Sequence, residues 1–406
     1  MGEGVIKRII FSYPEEANGV LFFMGEVFMG EVNDSLFMKR ALELARRGLG
    51  RTRPNPAVGA VVVRDHKIVG EGYHQRAGTP HAEVHALRAA GDLAQGATLY
   101  VTLEPCCHYG RTPPCTEAIK ASGIRRVVIA MPDPNPKVAG KGIRELKEAG
   151  IEVEVGVLAR EAQRLNEAFS KYITTGLPWV TMKVAMTLDG KIATRTRASR
   201  WISCESSRQK VHELRDTHDA VLVGIGTVLA DDPMLTTRLP GGRDAIRIVL
   251  DSSLRLPLEA KIISSSSSAP VWVATTDKAP VEKKKELEKL GVEVLVLPSE
   301  EGRVSWTALL KTLGEREITS VLLEGGAEVN ASALAKGVVD RVIVFIAPKI
   351  FGGREAPGPV GGIGVGRPDE AWELEEVEVY PSGNDIMITG LVKKSFGSSV
   401  GLKESN

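Results

Sequence analysis

TLEPCCHYGRTPPC, residues 102–115, holds Cys106, Cys107 and Cys115, three of the four cysteines in this 406-residue chain; the fourth is Cys204. A secreted disulfide scaffold would carry more cysteines and spread them out. A cluster in a large, cysteine-poor chain points instead to metal ligands and a reducing compartment, and a cytoplasmic location is expected. Upstream stands His81-Ala82-Glu83. Zinc takes four ligands, and a catalytic site keeps one position for a water whose pKa the metal lowers to about 7. His81, Cys106 and Cys115 would leave that position open. Glu83, two residues from a ligand, is then placed to carry a proton from this water to a leaving nitrogen, which is the H-x-E…P-C…C arrangement of zinc deaminases.

The local pattern supports this reading. The break Gly78-Thr79-Pro80 precedes a helical stretch over 81–90, so His81 and Glu83 fall in its first turn. A strand over 98–103 delivers Cys106, and Cys115 opens a helix over 116–122. A helix N-terminus stabilises a thiolate. The alternative is a closed structural zinc with His85, Cys107 or His108 as fourth ligand. Structural sites favour C-x2-4-C pairs and have no use for Glu83. His85, on the same helix face as His81, reads as a core or supporting residue, and Cys107 as a packed thiol. Between the outer cysteines lie His108 and Arg111, and an arginine on a loop tied to a metal at both ends suits a substrate phosphate.

Outward from this segment, the spacing predicts helices over 34–48 and 141–149 and strands over 58–63, 126–130 and 151–157. This alternation implies an α/β layer with mostly parallel pairing. The segment 161–178 starts helical and ends at Thr175-Gly176-Leu177-Pro178. A second α/β pattern follows, with strands over 180–185, 220–224, 247–251, 271–275, 292–297, 320–324 and 341–347 and helices over 206–217, 281–290 and 331–336. The organisation expected is an extension 1–30, a first domain 31–158, a linker 159–178, a second domain 179–395 and a tail 396–406. The phrase FMGEV occurs twice, at Phe23–Val27 and Phe28–Val32, and Met24 or Met29 is a candidate start; the extension is expected to be disordered or an upstream misread. The run Ser264–Ser268 reads as a solvent loop. Lys+Arg is 52 against Asp+Glu 51, so nothing pulls the chain towards a polyanion and nucleic acid is not expected as a partner. No apolar run reaches the ~18–20 residues that cross a bilayer, so no membrane association is expected.

The stretches HAEVHA (81–86), 102–115 and MPDPNPKVAGKG (131–142), with Asn55-Pro56-Ala57-Val58-Gly59, together resemble the bifunctional deaminase–reductases of riboflavin biosynthesis. The resemblance spans about 34–390. The family usually has Ser where this chain has Cys107, a position that is not a ligand. In the second half it rests on KVAMTLDG (183–190), Ser199-Arg200-Trp201-Ile202-Ser203, Gly224–Pro233 and Leu323-Glu324-Gly325-Gly326-Ala327, with Thr187 in place of the usual Ser. These glycines, and Phe351-Gly352-Gly353, each follow a predicted strand, where backbone N–H groups can approach a phosphate.

The resemblance implies an α/β chain with a cytidine-deaminase-like three-layer domain followed by a dihydrofolate-reductase-like domain. It implies zinc on His81, Cys106 and Cys115, with Glu83 as proton donor and substrate contacts at Asn55, His74, His108 and Arg111. It also implies NADPH contacts at Ala185, Trp201, Thr227, Asp231, Ser252 and the turn Gly326, Ala327, Glu328, Val329, Asn330, Ala331 and Ser332. Asp231 is expected to orient the sugar for reduction, and substrate contacts are expected at Lys183, Ser199, Arg215, Leu235, Arg238 and Glu324. The implied substrates are pyrimidine ribosyl phosphates: zinc-dependent loss of the 2-amino group from a diaminopyrimidinone, then NADPH-dependent reduction of ribosyl to ribityl. Assembly into a homo-oligomer is expected.

Overall fold

The computed structural model describes residues 29–109, 113–136 and 138–393. Residues 1–28 of the expected extension, the tail 396–406 and Arg111 lie outside the described residues.

The first body runs α1 (Met29–Arg46), β1 (Gly59–Arg64), β2 (Lys67–Tyr73), α2 (Ala82–Ala90), β3 (Thr98–Val101), α3 (Cys115–Ala121), β4 (Arg126–Ile129), α4 (Lys141–Glu148) and β5 (Glu152–Val155). Its sheet has the order β2-β1-β3-β4-β5. β1 is antiparallel to both β2 and β3, while β3, β4 and β5 are parallel. The sheet is therefore mixed, where the alternation alone predicts mostly parallel pairing. β2 makes the difference, and its sequence KIVGEGY hides it. α2 lies so close on β2 that a Cβ at Gly70 or Gly72 would strike the carbonyl oxygens of Ala86 or Ala82, so glycine stands where a strand would otherwise show apolar residues. β1 is an interior strand of the sheet: Ala60, Val61 and Val62 are fully buried, each valine worth about 1.5–3 kcal/mol of apolar burial.

The expected linker 159–178 is packed structure. α5 (Ala159–Leu165) and α6 (Glu167–Thr175) meet at Asn166. The buried Asn166 amide accepts from the N–H of Ala57 at 2.9 Å and donates to the Ala57 carbonyl at 3.0 Å, so one side chain satisfies both backbone groups of a residue over a hundred positions away. α6 stops at Gly176, left-handed at φ +73° and bonded back to the Tyr172 carbonyl, with Pro178 soon after.

The second body continues with β6 (Trp179–Thr187), α7 (Glu205–Thr217), β7 (Ala220–Gly224), α8 (Ile225–Asp231), β8 (Ile246–Leu250), α9 (Lys261–Ser264), β9 (Val271–Thr275), α10 (Val281–Lys289), β10 (Glu293–Val296), β11 (Ser299–Glu300), β12 (Arg303–Val304), α11 (Trp306–Glu315), β13 (Ser320–Leu323), α12 (Ala327–Ala335), β14 (Arg341–Ala347), β15 (Leu374–Ser382) and β16 (Asp385–Val392). The large sheet has the order β10-β9-β8-β7-β13-β6-β14-β16-β15. It is parallel through β14, and β16 and β15 close it antiparallel. Alternate residues of β7 enter two cores, Ala220 and Leu222 on one face and Val221 and Val223 on the other, as in a sheet covered on both sides.

Polar contacts join the bodies. Arg51 grips Asp216 with two N–H groups at 3.0 and 3.1 Å. Lys171 reaches Asp340 at 2.5 Å, and Glu167 pairs with Arg341 at 2.7 Å. Among the described residues, no helix is long and apolar enough to cross a membrane.

Candidate active sites

His81 is the N-cap of α2, in extended backbone, and Cys115 is the first residue of α3. Cys106 lies in the loop between β3 and α3. The His81 Nδ1 is 3.2 Å from the Cys115 Sγ and 3.5 Å from the Cys106 Sγ. All three ligand atoms lie within 4.8 Å of one another. The edge between nitrogen and sulfur ligands around tetrahedral zinc is about 3.5 Å, from bonds of ~2.0 and ~2.3 Å, so this donor set fits that metal. His85 and Cys107 do not join the cluster. Hydrogen bonding from Cys115 and from the His81 ring pulls the Cys106 thiol down to about 4, while the contact with Cys106, together with burial, pushes Cys115 well up. Glu83 is buried and its Oε2 has no hydrogen-bond partner among the described residues. Burial raises its carboxyl above the usual range.

These groups open on a cavity of about 390 Å³, a size that suits a small ligand. Asn55, His74 and His108, all expected as substrate contacts, line it together with His81, Glu83 and Cys106. Burial drives the His74 imidazole down to about 4, so it is neutral at physiological pH. Its Nδ1 faces the Pro80 carbonyl at 3.3 Å and its Nε2 the Asn55 amide nitrogen at 3.1 Å. The tautomer that fits has Nδ1–H donating to Pro80 and Nε2 accepting from Asn55. The Asn55 oxygen is then left to meet a donor in the cavity.

Sequence reasoning passed over other lining residues. Asp133 and Asn135 come from the PDPNP motif, which was quoted above without a role. Burial pushes the Asp133 carboxyl up to about 6. The buried Glu104 carboxylate accepts from the N–H groups of Asp133, Gly140 and Ile143 at 3.0–3.1 Å, tying this loop to the segment that carries Cys106. Phe169, Tyr172 and Ile173 of α6 also line the cavity.

The second cleft, about 1710 Å³, opens at the carboxyl ends of β7, β8 and β13, where open α/β sheets place their ligands. It gathers Lys183, Ala185, Ser199, Trp201, Arg215, Thr227, Asp231, Leu235, Arg238, Ser252 and Glu324. From the expected turn it takes Gly326, Ala327, Glu328, Val329, Asn330 and Ser332. Ala331 is not among the lining residues; its Cβ lies against Gly362. The sequence pattern starts this helix at 331, but it begins at Ala327, directly after Gly325 and Gly326 with φ of +110° and +98°. A turn of this kind aims backbone N–H groups at an anion.

Burial alone would raise the Glu324 carboxyl, but Arg215 and Lys183 outweigh it and hold the group far below the usual range. Arg215 binds it through Nε and Nη2, at 2.5 and 2.8 Å, and Lys183 reaches it at 3.2 Å. The third Arg215 contact goes to the Thr236 carbonyl. Two nitrogens of the Arg215 guanidinium are thus engaged by Glu324, while Arg238 stands in the same cleft lining. Asp231 accepts from the Ser199 hydroxyl at 2.7 Å. Trp201 is 61% exposed, with the Arg208 guanidinium 4.7 Å above its ring. The Phe351-Gly352-Gly353 turn is not part of the cleft lining. Phe351 and Gly352 donate their N–H groups to the Asp189 carboxylate at 3.1 and 2.7 Å, which leaves them unavailable to a phosphate.

Residues 178–388 match the RibD C-terminal domain, and residues 31–131 match the cytidine and deoxycytidylate deaminase zinc-binding region. The chain is 49% identical over 356 residues to the riboflavin biosynthesis protein RibD of Aquifex aeolicus, covering 87% of this chain and 97% of that one. The chain belongs to the RibD family. The Escherichia coli RibD is 42% identical over 370 residues, covering 88% of this chain and 99% of that one. Acinetobacter baumannii RibD superimposes with a TM-score of 0.79 at 41% identity, over 90% of this chain and 100% of that one. A diaminohydroxyphosphoribosylaminopyrimidine deaminase/5-amino-6-(5-phosphoribosylamino)uracil reductase of Thermotoga maritima superimposes with a TM-score of 0.77 at 40% identity, over 90% of this chain and 100% of that one. As a RibD protein the chain is a bifunctional enzyme of riboflavin biosynthesis, with a zinc-binding deaminase domain ahead of an NADPH-using reductase domain.

Proposed function

We propose that the chain deaminates 2,5-diamino-6-ribosylamino-4(3H)-pyrimidinone 5′-phosphate at the first site and reduces the ribosyl group of 5-amino-6-(5-phosphoribosylamino)uracil at the second. The similarity to the Thermotoga maritima enzyme over most of both chains supports these substrates. The observation that carries the reading is the convergence of His81, Cys106 and Cys115 beside the unpartnered Glu83 oxygen.

His81, Cys106 and Cys115 would hold zinc, which when bound polarises a water and lowers its pKa to about 7. Glu83 moves the proton. Its Oε2, kept without a protein partner, takes a proton from the water and gives it to the leaving amino nitrogen. The Asn55 amide, oriented by neutral His74, offers its oxygen to a ring N–H or amino group of the substrate. His108 and Arg111 belong to the same reading as contacts to the phosphosugar.

In the second site NADPH supplies the hydride when bound, so the protein's task is distance and orientation. The turn from Gly326 to Ser332, with Ser252 and Thr227, would hold the cofactor by its phosphates and ribose, and Ala185 and Trp201 would contact its nicotinamide. Glu324 fixes Arg215 and Lys183 in place at the pocket, and Ser199 orients Asp231 towards the sugar. Arg238 lines the cleft, makes no ion pair among the described residues and is a cation available to the substrate phosphate. Assembly as a homo-oligomer and a cytoplasmic location complete the reading. The exposed Val377 and Val379 on the edge strand β15 support assembly.

The test is metal content together with turnover of each intermediate. About one zinc per chain is expected, with ammonia released from the diaminopyrimidinone phosphate and none from cytidine. Release from cytidine alone would overturn the substrate assignment.

A further inference from the structure

The segment between the two domains does more than join them. Phe169, Tyr172 and Ile173 lie at i, i+3 and i+4 of α6, one face of a helix. That face lines the deaminase cavity, although α6 lies beyond residues 31–131 that match the zinc-binding region. Phe169 and Tyr172 are the only phenyl-type rings among the described lining residues. Much of the remaining lining is polar: Asn55, His74, Glu83, His108, Asp133 and Asn135.

Other α6 groups are held by the reductase body. Glu167 takes two hydrogen bonds from Arg341 at 2.7 and 3.0 Å, and Lys171 reaches Asp340 at 2.5 Å. The Tyr172 hydroxyl donates to the Gly314 carbonyl at 3.3 Å. Gly314, in α11, is itself a spacer, because a Cβ there would strike the carbonyl oxygen of Gly176 at the end of α6. On the deaminase side, Asn166 bonds both backbone groups of Ala57, between lining residues Pro56 and Val58.

We propose that α6 is a specificity element of the deaminase. Phe169 and Ile173, with the Tyr172 ring, form the wall against which the flat pyrimidinone ring lies, and the reductase body sets the position of that wall. The proposal rests on the deaminase reading given above. Polar lining can match the exocyclic groups of the substrate, but the ring faces are apolar and need a surface of their own. Base–aromatic stacking contributes about 1–3 kcal/mol, or roughly ten- to hundredfold in binding.

The test uses full-length, zinc-loaded protein and steady-state kinetics at both sites. Phe169→Ala should raise the deaminase KM about ten- to hundredfold and Ile173→Ala should raise it by less, each with kcat within about threefold. Zinc content and reductase kinetics should stay at parental values, which also reports that the fold is intact. Phe169→Leu should recover part of the loss. Gly314→Ala and Arg341→Ala, both in the reductase body, should raise the deaminase KM without replacing a lining residue. A parental deaminase KM in both wall variants, at full zinc, overturns the wall. Wall variants that shift KM while Gly314→Ala and Arg341→Ala leave it unchanged overturn the control by the reductase body. Failure of the unmodified protein to release ammonia counts against the deaminase reading itself, and is seen before any variant is made.

Discussion

Glu83 and Glu324 are both buried carboxyls, and their surroundings push them in opposite directions. Glu83 has an oxygen without a partner and no neighbouring lysine or arginine bonded to it, so burial dominates. An isosteric Glu83→Gln change keeps the shape and removes the proton carrier. We expect deaminase kcat to fall about 10²–10⁴-fold, with zinc retained by metal analysis and reductase turnover unchanged. Glu324 sits between Arg215 and Lys183. Because its folded pKa is depressed, its contribution is complete above the unfolded value of about 4.3 and is lost as pH falls towards the folded value. Glu324→Gln would leave two cations facing a neutral amide, at a cost of about 3 kcal/mol at neutral pH. Denaturant titrations between pH 7 and pH 3 should show the parent losing stability on acidification and the variant lacking that part of the loss. Much of this was legible in residue order: the H-x-E and P-C…C spacing points to His81, Cys106 and Cys115, which the structure brings together because helix starts deliver the first and last of them. The fate of Arg215 was not, because a sequence cannot say whether an arginine faces a phosphate or a carboxylate of its own chain.

Among elements, those with a continuous apolar run were readable, as at β7 and β9. Those hidden by close packing or by exposure were not. β2 carries glycines where α2 presses on it, and β15 carries exposed residues at an open sheet edge. α6 falls in a segment that reads as a linker starting helical, since an aromatic at i and another at i+3 look the same whether they face a core or a cavity. β8 holds a further case. The Arg247 side chain, buried in the body, binds the carbonyls of Ile262 and Ala269 and the hydroxyl of Ser265. The serine run that reads as a plain solvent loop is thus tethered by a strand residue. Arg247→Met should free it, with a loss of about 2–3 kcal/mol from charged hydrogen bonds. Hydrogen exchange should rise across residues 262–269, and equal protection in both proteins would rule the tether out.

At the scale of the whole molecule, two cavities lie in two bodies with separate cores. Chelation should abolish ammonia release and leave NADPH oxidation with the second substrate largely intact. Joint loss of both activities would contradict independent chemistry. Independence of chemistry is not independence of structure, however, because Arg51–Asp216, Glu167–Arg341 and Lys171–Asp340 cross between the bodies. Residue 216 follows Arg215 at the end of α7, so this contact stands next to the reductase site.

Trp201 gives the molecule an intrinsic optical reporter. Its indole is largely open to water in the reductase cleft, whereas Trp272 and Trp306 are buried at 7% and 4% exposure. Filling that cleft with a dinucleotide should dry the Trp201 ring and place it near an absorbing nicotinamide. Fluorescence emission would then fall and shift to the blue as the cofactor is titrated in, and a Trp201→Phe protein would lose most of that signal. Occupancy of one half of the enzyme could in this way be followed without a label while the other half turns over.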